Sequence, residues 1–268
     1  MTHKIRPLVL AIALSLMFVQ CTNDNDNTPP YPTSIESYFN AGEFAHEDVT
    51  LKYQESTIRG TANGQLPLVV VLHGQNSAGS DNLTPIRHDA MIRIWHHFSS
   101  NQIGAVLLAP QCSSRRAWDE TATEVKGATM ADIVKAFVDN YVANHSSIDT
   151  SRIYIWGYAD NALPAGAGGV WRLLSDYSDT FAAGMAVSAE PDETIVVENV
   201  AKTPVLLVKG EVKLDDEVML LTDTFGDMVR DAGGIFNEVI LSVRSRDEIC
   251  RDAFSGANID WVLQYSKK

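Results

Sequence analysis

The sequence predicts an α/β domain in which a mostly parallel, doubly wound sheet is covered by helices on both faces. Continuous apolar runs of five to seven residues recur along the chain, as expected of strands buried on both faces. Segments with apolar residues three and four positions apart lie between these runs, which is the period of an amphipathic helix. Strands that alternate with helices form parallel sheets. Because the chain shows no internal repeat and no second linker, we expect a single domain.

The predicted elements follow these two patterns along the chain. Strands are expected at 67–73, 105–110, 152–156, 182–187, 204–208 and 236–243. Helices are expected at 130–145, 170–177, 217–232 and 252–264. In sheets of this kind ligands bind beyond the carboxyl ends of the strands, so a functional site is expected on the loops that follow the strands.

The composition is that of an ordinary globular protein. The chain has 268 residues, of which 45% are hydrophobic and 21% charged, and this excludes a disordered or collagen-like chain. Acidic residues outnumber basic ones by 34 to 21, a formal charge of −13. Since neutralising phosphates needs clustered Lys and Arg, we expect no nucleic-acid partner.

The N-terminus resembles a bacterial lipoprotein signal. Lys4 and Arg6 precede an apolar run at 7–19, which is too short for a comfortable transmembrane helix. Cys21 follows, and in such signals this cysteine becomes the lipidated first residue. We expect a signal peptide (1–20), a lipidated cysteine with a flexible tether (21–34) and a domain (35–268), anchored in the bacterial cell envelope on its periplasmic or outer face. The alternative is simple cleavage and secretion, with Cys21 incidental.

Two further cysteines, Cys112 and Cys250, leave two possibilities open. An oxidising envelope would permit a disulfide between them, but two cysteines so far apart in sequence do not establish one. Two separate buried thiols are the alternative.

Four segments of the chain together resemble the α/β-hydrolase superfamily, and within it the branch of polyhydroxybutyrate-depolymerase-like and feruloyl-esterase-like esterases. They are LPLVVVLHGQNSAGSDN (66–82), LLAPQC (107–112), IDTSRIYIWGY (148–158) and WRLLSDYSDTFAAGMAVSAEPD (171–192). The resemblance implies the α/β-hydrolase fold and carboxylic-ester hydrolysis without a metal or another cofactor. It also implies a nucleophilic serine on a sharp G-x-S-x-G turn after a strand.

The catalytic residues of that family are missing from the matching positions. The turn reads Gly157-Tyr158-Ala159-Asp160-Asn161, so that Ala159 stands at the nucleophile position without a hydroxyl. The acid position resembles Lys213, and the histidine position falls near Asp247. These two could form an ion pair in place of the lost acid–imidazole contact, or they could be two solvated charges of little consequence.

The positions of the histidines support this conclusion without any alignment. All seven lie at or before His145, and the chain after it contains none. In α/β-hydrolases the order along the chain is nucleophile, acid, histidine, so the base has to follow the turn near Ala159. A serine without such a base is a weak nucleophile at neutral pH.

Other candidates for a site come from the same loops. Gly74 and Gln75 resemble the oxyanion loop, where the Gln75 amide would stabilise negative charge, or they could serve only the strand end. Trp118 could offer an aromatic platform to a sugar ring, or it could pack in its loop. Five carboxylates could converge on a cation, although a solvated acidic rim is the simpler interpretation and no metal is expected; they are Asp160, Asp192, Asp215, Asp216 and Asp247.

Three functional hypotheses follow, and the fold alone does not choose among them. The first is a non-catalytic relative of esterases that binds an ester-like, carbohydrate-like or other small ligand. The second is an active esterase with a rewired site that uses Asp160, Ser188 or His73 in new roles. The third is an envelope scaffold or partner-binding lipoprotein. The oligomeric state stays open.

Overall fold

The structure, a computed structural model, contains one central eight-stranded sheet. It describes residues 31–62, 64–161, 165–210, 213–214, 217–218, 224–242 and 245–267. The strands of the sheet are β1 (Asn40–His46), β2 (Val49–Ile58), β3 (Leu66–Leu72), β4 (Ala105–Gln111), β5 (Ile148–Tyr158), β6 (Ala183–Val187), β7 (Val205–Gly210) and β10 (Phe236–Leu241). Their order is β1-β2-β4-β3-β5-β6-β7-β10, with a separate two-stranded pair of β8 (Lys213–Leu214) and β9 (Glu217–Val218).

All pairs from β4 to β10 in the main sheet are parallel, whereas β2 is antiparallel to both β1 and β4. Helices cover both faces: α1 (Thr84–Arg87), α2 (Asp89–Ser100), α3 (Met130–Asn144), α4 (Ala165–Asp176), α5 (Val197–Val200), α6 (Thr224–Asp231), α7 (Arg246–Asp252) and α8 (Gly256–Leu263). The predicted α/β architecture with a mostly parallel sheet in one domain is confirmed.

Buried strands divide their side chains between two hydrophobic layers. In β3, Leu68 and Val70 face the layer that holds α3 and α4, while Val69 and Val71 face the layer that holds α2 and α8. This alternation explains why β3 is apolar at every position, since neither of its faces meets water.

The predicted strands are all present, but two helix predictions were wrong in part. Of the helix expected at 217–232, the described residues include α6 (Thr224–Asp231), whereas Glu217–Val218 form β9, which pairs with β8. The closing helix expected at 252–264 is α8, which begins only at Gly256 and is separated from α7, ending at Asp252, by a short turn. The division falls at Ser255, whose hydroxyl accepts the Asn258 amide at 3.4 Å and caps the second helix.

The two domain cysteines are separate buried thiols, so the disulfide alternative is wrong. Cys112 and Cys250 belong to different hydrophobic layers on opposite faces of the sheet. Burial raises the pKa of the Cys112 thiol to about 12, which keeps it protonated and unreactive at neutral pH.

The long loop between β4 and α3 is organised by the buried carboxylate of Glu120. It accepts the Met130 amide at 2.8 Å, at the start of α3, and the Arg116 side chain, which also donates to the Ala128 carbonyl at 2.7 Å. One acid therefore joins two parts of the loop to the first turn of a helix.

Replacing this acid tests its role. Glu120→Ala is expected to lower the free energy of unfolding by about 2 kcal/mol, because the Arg116 guanidinium and the Met130 amide lose a charged acceptor. The measurement is urea unfolding followed by circular dichroism. Asp139→Ala is the control, since its exposed ion pair with Lys135 is expected to contribute less than about 0.5 kcal/mol. Equal losses in the two variants would contradict the assignment.

No helix in the described part of the chain is both long enough and apolar enough to cross a membrane.

Candidate active site

The site lies at the carboxyl ends of the neighbouring strands β3 and β5, where an open parallel sheet places its ligands. The loop after β3 begins at His73, and Ala159 and Asp160 are the first two residues after β5. Three buried residues, Gly74, Tyr158 and Asp160, meet here with the half-buried His88 from the segment between α1 and α2.

Ala159, at the nucleophile position, directly follows the last residue of β5 and is still hydrogen-bonded to β6. Its amide donates to the Val187 carbonyl at 2.9 Å, and its carbonyl accepts the Cys250 thiol at 3.3 Å. The residue is 0% exposed. A substrate therefore meets neither a hydroxyl nor an accessible side chain at this position.

The backbone strain typical of a nucleophile turn falls elsewhere. Ala165, the first residue of α4, has a positive φ of 36°, a conformation that costs a residue with a Cβ free energy. The start of this helix packs tightly against the sheet, since a Cβ on Gly166 would lie 2.1 Å from the Leu72 carbonyl oxygen. Ala165, like Ala159, has no hydroxyl.

The Asp160 carboxylate lies over Gly74 and on the loop after β3. Its Oδ1 accepts the Asn76 amide at 3.2 Å, and a Cβ on Gly74 would lie only 2.3 Å from its Cγ. Its side chain is 0% exposed, and Oδ2 has no hydrogen-bond partner among the described residues. Burial raises the pKa of Asp160, while the Asn76 amide and its own backbone N–H act in the opposite direction.

His88 contributes an imidazole that the sequence analysis did not place at the site. Its Nε2 lies 3.9 Å from Asp160 Oδ2, and its ring stacks on Tyr158 with 4.5 Å between the centroids. Its Nδ1 accepts the Ala90 amide at 3.1 Å and caps α2, so the proton of the neutral ring is on Nε2, toward Asp160. Burial lowers the pKa of His88, against the effect of Asp160. Because one nitrogen is an acceptor and the other faces a carboxylate, neither is available as a base for a substrate.

His73, one of the candidates for a rewired site, has a structural role. Its Nδ1 bonds to the Gly74 carbonyl at 2.7 Å, and its Nε2 accepts the Cys112 amide at 2.9 Å. Burial lowers its pKa to about 4, so the ring is neutral at physiological pH. It joins the end of β3 to the end of β4.

Trp118 does not form the predicted aromatic platform. Only 3% of the residue is exposed, and its indole N–H donates to the His73 carbonyl at 3.2 Å. Its ring packs edge-on against the His73 ring, with 5.2 Å between the centroids. The alternative interpretation, loop packing, is correct because the loop after β4 folds back over the sheet.

The oxyanion-like loop is held by buried amide side chains. Gln111 at the end of β4 donates to the Ser77 carbonyl at 3.0 Å and accepts the Asn82 amide at 2.6 Å. Gln54 on β2 donates to the Asn82 carbonyl at 2.7 Å. The backbone amide that donates to the Asp160 carboxylate is that of Asn76, whereas the role expected of the Gln75 amide stays a prediction; Gln75 itself is partly exposed.

The remaining candidates on the late loops do not meet at this centre. Ser188 is buried, has a φ of 67°, and its carbonyl and hydroxyl accept the Arg246 guanidinium at 2.8 and 3.4 Å, so no imidazole activates it. Asp247 is exposed in the first turn of α7. The side chain of Lys213 lies outside the described residues, as do Asp215, Asp216 and Cys21, so the ion pair with Asp247 stays a prediction. Among the described residues no group of three or more His, Cys, Asp or Glu could hold a metal ion.

No protein-family profile matches the chain, and no curated protein matches it in sequence. Solved structures do match. A thermostable esterase has a TM-score of 0.70 at 20% identity over 86% of this chain. The chain has the α/β-hydrolase fold. A ferulic acid esterase matches with a TM-score of 0.61 at 14% identity over 84% of the chain. An S-formylglutathione hydrolase from Agrobacterium tumefaciens matches with a TM-score of 0.55 at 13% identity over 87%.

The match spans 64% of the thermostable esterase and 98% of each of the other two proteins. At these identities the likeness is one of α/β-hydrolase fold, and the activity of this chain has to be argued from its own residues.

Proposed function

We propose that this protein is an exported, lipid-anchored α/β-hydrolase-fold protein that does not hydrolyse esters and acts by binding a partner. The observation that carries the proposal is the junction between β5 and α4. Ala159 directly follows the last residue of β5, Ala165 begins α4, and both are buried residues without a hydroxyl. Covalent ester hydrolysis needs an accessible nucleophile at this turn.

The histidines near the site support the absence of catalysis. A general base needs a ring nitrogen within hydrogen-bond distance of the proton that it removes. His73 uses both nitrogens to join two strand ends, and His88 uses one to cap α2 while the other faces Asp160. A rewired hydrolase would have to break one of these arrangements.

The same geometry favours a protein partner over a small ligand bound at the carboxyl ends of β3 and β5. Trp118, expected to contact a sugar, is buried, and Gly74 lies beneath the Asp160 carboxylate. With these two positions covered, neither of them offers a contact to a small ester or sugar.

Turnover of p-nitrophenyl acetate tests the catalytic part of the proposal. The purified protein is expected to hydrolyse this ester no faster than the same amount of heat-denatured protein. Asp160→Ala and His88→Ala provide the comparison. Turnover by the wild-type protein that disappears in either variant would establish the rewired esterase and overturn the proposal.

Membrane attachment is tested separately at Cys21. The full chain expressed in a Gram-negative host is expected to sediment with membranes, and Cys21→Ser is expected to be uncleaved or to appear in the soluble fraction. Mass spectrometry of the mature N-terminal peptide is expected to show the acyl chains on the cysteine. A mature protein that begins at another residue, without acyl chains, would contradict the anchor.

A further inference from the structure

We infer that the protein's own Asp160 carboxylate occupies a backbone anion cradle at this site as an internal ligand. A small carboxylate ion can take its place when that side chain is removed. The inference concerns what occupies the cradle. It is independent of whether the protein has a partner or a membrane anchor.

The contact that defines the cradle is the backbone N–H of Asn76 on the loop after β3, at 3.2 Å from Asp160 Oδ1. The N–H of Asp160 itself acts in the same direction, since it lowers the pKa of this carboxylate. In active α/β-hydrolases the N–H after the nucleophile and an N–H from the loop after β3 stabilise the developing oxyanion. Here the residue after the nucleophile position presents its own carboxylate to that pair.

The surroundings are built around this carboxylate. Gly74 has no side chain and so leaves room for the Asp160 carboxylate, since a Cβ on Gly74 would lie only 2.3 Å from the Asp160 Cγ. The group is 0% exposed, and its second oxygen has only the His88 Nε2, at 3.9 Å, as a polar neighbour among the described contacts. A buried carboxylate with one oxygen left without a hydrogen bond is costly, so the Asn76 N–H matters to its position.

The size of the space selects the ligand class. Asp160→Ala removes one carboxylate and leaves a Cβ, so the vacated volume fits formate, and acetate less well. The His88 ring borders this space, with its Nε2 at 3.9 Å from Asp160 Oδ2, and the Tyr158 ring stacks on it. An ester with a bulky acyl group is therefore excluded unless these rings move.

Formate rescue of Asp160→Ala tests the inference by thermal unfolding of the full chain. The variant is expected to melt several degrees below wild type, and sodium formate is expected to raise its Tm in a saturable manner beyond sodium chloride of equal ionic strength. Asp160→Asn is the matched control, because its amide oxygen still accepts the Asn76 N–H and leaves no room. It is expected, like wild type, to respond equally to the two salts. Equal responses to both salts in all three proteins would overturn the inference.

A measurement on the wild-type chain covers the case in which Asp160→Ala does not fold. The Asn76 amide proton resonance is expected to follow the titration of the carboxylate that it contacts, and to lose this titration in Asp160→Asn. His88 and Asp247 also interact electrostatically with Asp160, so His88→Gln and Asp247→Asn are measured in parallel. Both variants are expected to keep the pH titration of the Asn76 amide resonance. An Asn76 amide that does not titrate in wild type would overturn the inference. Ester turnover by the wild-type protein would contradict the proposed function but not this occupancy.

Discussion

Gly166→Ala is expected to lower the free energy of unfolding by about 3 kcal/mol. The added Cβ would lie 2.1 Å from the Leu72 carbonyl oxygen and 2.7 Å from that of His73. Both are backbone atoms of the central strand end, so they cannot move aside as a side chain would. Relief would require α4 to shift away from the sheet.

Gly256→Ala is the matched control for this prediction. Gly256 is also the first residue of a helix, α8, and its nearest neighbours are His97 ring atoms at 3.3 and 3.4 Å. The change in unfolding free energy is expected to stay within about 1 kcal/mol, because Ala is the better helix former and a side chain can adjust. Urea unfolding of both variants provides the comparison. Similar stabilities would show that α4 does not pack on β3 as described.

His73 is expected to make the protein lose stability in acid. Its pKa is lowered from 6.5 to about 4 in the folded protein, mainly by burial. Between these two pH values the unfolded chain binds a proton that the folded chain does not, so stability falls as the pH decreases from about 6.5 to about 4 and is fully present above about 6.5. The corresponding loss is roughly 3 kcal/mol, at about 1.4 kcal/mol per pH unit.

The test compares wild type with His73→Asn in urea unfolding at about pH 7.5 and about pH 4.5. The variant is expected to be less stable at the higher pH, because the Cys112 amide and the Gly74 carbonyl lose their partners. Its further loss on acidification is expected to be smaller than that of wild type by roughly 2–3 kcal/mol. An unchanged difference between the two proteins at both pH values would show that His73 is not a buried neutral ring.

The central strands could be predicted from the sequence because burial on both faces leaves a simple pattern. β3 and β7 are apolar runs, and the interior of a sheet covered by helices on both faces is where such runs are buried from water. β1 and β2 were missed because they pair antiparallel at the edge of the sheet, where polar residues alternate with apolar ones and the pattern weakens.

The loss of the serine could also be predicted, but the arrangement that replaced it could not. Ala159 follows directly from the turn motif. His88 lies far earlier in the chain and caps a helix, so no spacing rule brings it to Asp160. The direction of the Asp160 side chain depends on the room that Gly74 leaves for its carboxylate, and only the folded structure brings these two residues together. Trp118 lies near the strand ends as predicted, but its burial depends on how the loop after β4 folds over those ends.

We expect no serine of this protein to be an activated nucleophile, and labelling with a fluorophosphonate tests this expectation most directly. An active esterase serves as the positive control, and Ala159→Ser tests whether a hydroxyl at the old position is enough, which the burial of that residue argues against. Intact-mass spectrometry is expected to show no adduct on the wild-type protein or on the variant after the control esterase is fully labelled. A stable adduct at any single serine of the wild-type protein would contradict the claim.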